Sequence, residues 1–113
     1  MNKIIIHWTA GTYQPNTTDL EHYHFLIDGE GKKHNGKYKP EDNENCYDGR
    51  YAAHTGGGNT GAIGVSMCAM AGFKSASDCG RYPITPVQLE AFFKLCSELC
   101  KKYNIPLENV WTH

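Results

Sequence analysis

No apolar run in this sequence approaches the roughly 20 residues that a membrane-spanning helix needs, so insertion into a bilayer is not expected. Basic excess is missing too. Eleven Lys+Arg against 12 Asp+Glu leave a net charge of −1, which offers nothing to neutralise a phosphate backbone, and nucleic acid is not an expected partner. The start lacks the form of a leader: Met1 to Ile6 carries one lysine and three isoleucines before His7, too short and too polar for a signal peptide. A soluble product made in the cytoplasm is the expectation. The glycine run Gly56-Gly57-Gly58-Asn59-Thr60-Gly61 lacks the lysine of a phosphate-binding loop and precedes a strand, not a helix.

What is present fits one small domain. A chain of 113 residues buries only about two-thirds of its unfolded surface, too little for a second core. Forty per cent hydrophobic and 20% charged residues is an ordinary globular balance. The cysteine count is 5, an odd number, and without a secretion signal reduced thiols are the default. Cys96 and Cys100 share one helix face. Core packing is the commonest use of such a pair, with a metal pair or an inter-element disulfide as alternatives.

Hydrophobic patterning predicts strands over Lys3–Ile6, Tyr23–Asp28 and Ile63–Met70, the last buried on both faces and therefore central in a sheet. Asp28-Gly29-Glu30-Gly31 reads as a turn, with Lys32-Lys33 opening a returning strand and most simply exposed. Asn35 to Arg50 is polar and reads as a long loop, the kind that serves as a binding loop, lid or mobile segment. Asn16-Thr17-Thr18 has the form of a glycosylation sequon, which means little without secretion. Thr85-Pro86-Val87-Gln88 predicts a helix start with a capping box, and Leu89, Phe92, Leu95, Cys96, Leu99 and Tyr103 continue at helical spacing until Asn104 and Pro106. Val110-Trp111-Thr112 reads as a short last strand. The expected class is α/β, a mixed central sheet flanked by helices.

Six histidines stand out by placement. His7 ends the first predicted strand and His113 the last, and ligand sites in open sheets lie at such rims. Neutral imidazole is a good zinc ligand. From spacing alone, a metal site and ordinary satisfied or exposed histidines both remain open. His24 follows Tyr23 on the predicted strand and is assigned a core or supporting role, while His22 and His34 are expected in solvent.

The local motifs add to this. Ile4-Ile5-Ile6-His7-Trp8-Thr9-Ala10-Gly11 resembles the opening strand and first zinc ligand of the zinc-dependent N-acetylmuramoyl-L-alanine amidases, a family that includes phage lysozyme-type amidases and peptidoglycan recognition proteins. Tyr23-His24-Phe25-Leu26-Ile27-Asp28, Ala53-His54-Thr55 with Asn59 and Ile63-Gly64-Val65, Thr85-Pro86-x-Gln88-Leu89, and Val110-Trp111-Thr112-His113 resemble later blocks in family order. The resemblance covers nearly the whole chain, 1–113, as a single amidase-like domain. It implies a zinc site in a surface groove and hydrolysis of the amide joining N-acetylmuramic acid to L-alanine in peptidoglycan. His7 and His113 map onto metal ligands, Tyr23 onto the residue that orients the water or supports the oxyanion, and His54, Asn59, Thr9 and Trp8 onto substrate-binding positions. Trp8 and Tyr51 could equally pack in the core. A cell-wall-degrading, phage-lysin-like protein acting on peptidoglycan or muropeptides is the implied role.

Three departures accompany the resemblance. The family's third ligand, a Cys or Asp with a polar catalytic group before it, follows the second histidine, and no such segment stands after His113. Either the chain is a fragment, or the site is completed differently, by the terminal carboxylate of His113 or by a partner chain. Gly11 to His22 leaves little room for the family's helix between its first strands, and Gly61 stands where asparagine is common. The alternative is a peptidoglycan-recognition module of the same fold with an incomplete metal site, and a scaffold with structural histidines is a third class.

Overall fold

A computed structural model describes residues 1–56, 58–75, 77–78 and 80–112. Five strands form one sheet: β1 (Lys3–Trp8), β2 (Phe25–Ile27), β3 (Lys33–Asn35), β4 (Ala62–Met67) and β5 (Val110–Thr112). Their order is β3-β2-β4-β1-β5. β2, β4, β1 and β5 run parallel, and β3 pairs antiparallel with β2. The mixed sheet flanked by helices agrees with the expected class.

β4 lies in the centre, and all six of its residues are buried, as its apolar run with small residues requires. Side chains alternate across the sheet. One face packs Ile4, Ile63, Val65, Met67 and Ile27 against the long helix α2 (Pro86–Tyr103), which contributes Phe92, Leu95, Cys96 and Leu99. The register Ile5–Gly64 and His7–Ser66 puts the alternate residues on the opposite face.

α2 begins as its sequence predicts. Thr85 Oγ1 accepts from the Gln88 N–H at 3.1 Å, and Gln88 Oε1 accepts from the Thr85 N–H at 3.1 Å, satisfying two donors that a helix start would leave unpaired. Gln88 does more than cap. Fully buried, it donates through Nε2 to Ile27 O and Cys68 O at 3.0 and 2.9 Å, fastening the helix to the ends of two strands. Asn104 ends α2 in the left-handed conformation, φ 54°, which asparagine tolerates well. Leu89, assigned to the apolar stripe, is instead exposed.

Four expectations need correcting. A helix does occupy the segment between β1 and β2: α1 (Thr17–His22), capped by Asn16, whose side chain accepts from the Asp19 N–H while the Asp19 carboxylate accepts from the Asn16 N–H. It is six residues long with no buried residue, so it leaves no apolar periodicity to read. The polar stretch Asn35–Arg50 also contains a 3-10 turn, Pro40–Glu44, in which Pro40 and Asn43 are buried. β2 begins at Phe25 and not at Tyr23, which forms the C-cap of α1. β4 ends at Met67, three residues earlier than expected. No helix among the described residues is long and apolar enough to cross a membrane.

Candidate functional site

A groove of about 580 Å³ opens at the carboxyl ends of β1, β4 and β5, lined in part by His7, Trp8, Tyr23, His54, Ile84 and Thr112. This is the rim at which ligands settle in open α/β sheets. Three elements converge there: the end of β1 supplies His7, the C-cap of α1 supplies Tyr23, and the segment before β4 supplies His54.

His7 is buried, and its ring contacts two others, Tyr23 at 5.2 Å and His54 at 5.2 Å between centroids. His7 Nε2 stands 3.1 Å from His54 Nδ1. The other ring nitrogen of His54, Nε2, faces Ala62 O at 3.4 Å. Thr55 Oγ1 lies 3.0 Å from that same Nδ1. His54 rests directly on Gly64, where an added Cβ would come within 2.5 Å of the imidazole. A glycine in the centre of β4 is therefore what admits the ring.

Tyr23 is half-buried, and its phenol is pushed above the ordinary tyrosine value by burial and by the charge of Asp19. It is a neutral hydrogen-bond donor across the physiological range. Ser66 on β4 lies close enough to ease that shift but outside hydrogen-bonding geometry. Its hydroxyl is the one buried side-chain polar atom among the described residues that lacks a partner. In the sheet Ser66 is paired with His7, so an unfilled polar position sits beside the candidate ligand.

Imidazole is a zinc ligand, and this rim brings two together, His7 at a strand end and His54 beside it. Among the described residues no group of three His, Cys, Asp or Glu comes together. His113, the other expected ligand, lies outside the described residues.

The remaining candidates divide. Trp8 is at the groove and 46% exposed, tilted against Phe73 at 5.8 Å, so it is not a core residue. Thr9 and Asn59 do not line the groove. Thr9 Oγ1 accepts from the N–H of Gly11 and of Ala69 at 3.1 and 3.4 Å, tying the ends of β1 and β4. Asn59 Oδ1 accepts from the Thr55 N–H at 2.8 Å, shaping the loop that follows His54. Gly61 has φ +72°, a left-handed conformation that glycine adopts at no steric cost.

Of the histidines assigned elsewhere, His24 is buried as expected. It accepts at Nδ1 from the Gly64 N–H (2.9 Å) and donates from Nε2 to Asn43 Oδ1 (2.9 Å), and burial holds its pKa below the ordinary value. His34 departs from the solvated expectation: its Nε2 is 2.8 Å from Asp28 Oδ2. His22, although exposed, donates from Nδ1 to Ala53 O at 2.8 Å, bracing the segment next to His54. Asn43 and Ser66 carried no sequence signal, since an asparagine in a polar stretch and a serine in a strand are ordinary; only the fold reveals their burial.

The profile of the family described as N-acetylmuramoyl-L-alanine amidase matches residues 1–113. No curated protein matches the sequence significantly. Among solved structures, the Drosophila peptidoglycan recognition protein SD superposes with a TM-score of 0.69 at 19% identity, over 100% of this chain and 69% of that one. The N-acetylmuramoyl-L-alanine amidase LysC from Clostridium intestinale gives 0.64 at 18% identity, over 99% and 70%. The amidase AmiD from E. coli, solved with anhydro-N-acetylmuramic acid-L-Ala-D-gamma-Glu-L-Lys, gives 0.69 at 23% identity, over 100% of this chain and 48% of that one.

Proposed function

Because the chain belongs to the N-acetylmuramoyl-L-alanine amidase family, we propose that it hydrolyses the amide between N-acetylmuramic acid and L-alanine in peptidoglycan, with a zinc ion held by His7 and His113. The observation that carries this reading is the pairing of β1 with β5. Their parallel register runs to Ile6–Thr112, and in the sequence each of these two residues is followed by a histidine, His7 and His113. Zinc, when bound, lowers the pKa of water to roughly 7 and polarises a carbonyl.

The chain's own residues supply the rest. Tyr23, neutral and beside His7, donates a hydrogen bond to the oxygen that gains charge as the amide carbonyl is attacked. His54 forms the groove wall and presents Nδ1 towards His7. Trp8 offers a flat apolar face to sugar or peptide, tilted against Phe73. The substrate is a wall polymer or its muropeptides, as for a phage lysin, and the wall is the site of action.

The test is incubation with purified cell walls, with and without zinc, counting newly exposed alanine amino termini. The expected result is release that a chelator and His7→Ala each abolish. Wall binding without release at any zinc concentration would replace this reading with recognition alone. Neither binding nor release would remove both.

A further inference from the structure

We infer that Asn43 is a positioning residue: together with His24 it clamps the segment 52–61 onto the central strand and thereby sets the place of His54 in the groove. The inference rests on the proposed function only for what His54 is positioned to do; the clamp itself is geometric.

Asn43 is fully buried in a turn whose other polar residues face solvent. It satisfies both ends of its amide. Oδ1 accepts from the Ala52 N–H and from His24 Nε2, each at 2.9 Å. Nδ2 donates to Ala52 O at 3.0 Å and to Asn59 O at 3.1 Å. Its backbone carbonyl also accepts from the Gly61 N–H at 2.8 Å. One side chain thus grips the segment on both sides of His54, at Ala52 and at Asn59.

The clamp is anchored on β4. The His24 N–H donates to Gly64 O at 2.9 Å, and its ring accepts from the Gly64 N–H, so His24 extends the β2–β4 pairing by one residue with its own side chain. Gly64 is the residue on which the His54 ring lies, and the rings of His24 and His54 meet edge to face at 5.6 Å. A continuous path of contacts runs from the central strand through His24 and Asn43 to both flanks of His54. Only an amide fits: a carboxylate at 43 keeps the two acceptor contacts and leaves Ala52 O and Asn59 O without their donor.

The experiment uses Asn43→Ala and, in case that variant does not fold, the isosteric Asn43→Asp. Amide hydrogen exchange is compared at Ala52, Thr55 and Gly61 against Val65 in β4. The expected result is exchange about tenfold or more faster in 52–61 with Val65 unchanged. Hydrolysis is then measured for each variant alone, for His54→Ala and for the double variants. Because Asn43 acts through His54, its replacement lowers kcat in the parent and changes it less than about twofold in the His54→Ala background. Unchanged exchange, or losses that multiply in the double variant, would overturn the inference. If the parent protein releases no alanine, the proposed function fails while the exchange measurement still decides the clamp.

Discussion

Asp28 shows how one residue holds a turn. Its Oδ1 accepts from the N–H groups of Glu30 and Lys32 at 2.9 and 3.0 Å, and its Oδ2 meets His34 Nε2 at 2.8 Å. Burial alone would raise this carboxyl's pKa; the hydrogen bonds from His34 and the two backbone donors outweigh it and hold the group below its ordinary value. A depressed folded pKa contributes stability above the unfolded carboxyl range, near pH 4, and loses it as pH falls through the lower folded value. Asp28→Ala should therefore cost about 1–3 kcal/mol at neutral pH and reduce the loss of stability on acidification. Urea unfolding of parent and variant at pH 7 and pH 3 checks both, and an equal gap at the two pH values would contradict the assignment.

Among the elements, α2 and the parallel strands were legible and α1 was not, for physical reasons. α2 carries its start signal in four consecutive residues and its buried face at helical spacing. β1 and β4 are apolar runs that can only be interior strands. α1 buries nothing, so its one signal is the Asn16–Asp19 cap. Of the site, His7, Tyr23 and His54 could be picked out because each sits in a recognisable local motif. The roles of Asn43 and Ser66 arise from contacts between distant segments, which local pattern does not encode. The cap of α2 gives a prediction at this scale. Thr85 Oγ1 both accepts from the Gln88 N–H and donates to Gly29 O at 2.8 Å, so Thr85→Ala should lower stability by about 1–2 kcal/mol. Chemical denaturation measures it, and a change below about 0.3 kcal/mol would show that Gln88 alone secures the helix start.

For the molecule as a whole, the two faces of the sheet divide the work. One face against α2 forms the apolar core, and the other, covered by the polar segment before β4, presents the groove. Cys46, Cys68, Cys96 and Cys100 are thiols, of which Cys96 belongs to that core. Burial pushes the pKa of both Cys68 and Cys96 up to about 12, leaving almost no thiolate at pH 8. Iodoacetamide at pH 8 should spare these two in the folded protein and modify them in urea, as read by mass spectrometry of peptides. Labelling of either in the native state would mean that the core opens. The convergence of two strand ends on one cation is tested most directly by equilibrium dialysis against zinc with parent protein and His7→Ala. The expected result is one tightly held zinc per parent chain and none in the variant, with both proteins folded. Equal zinc in the two, or none in either, would contradict it.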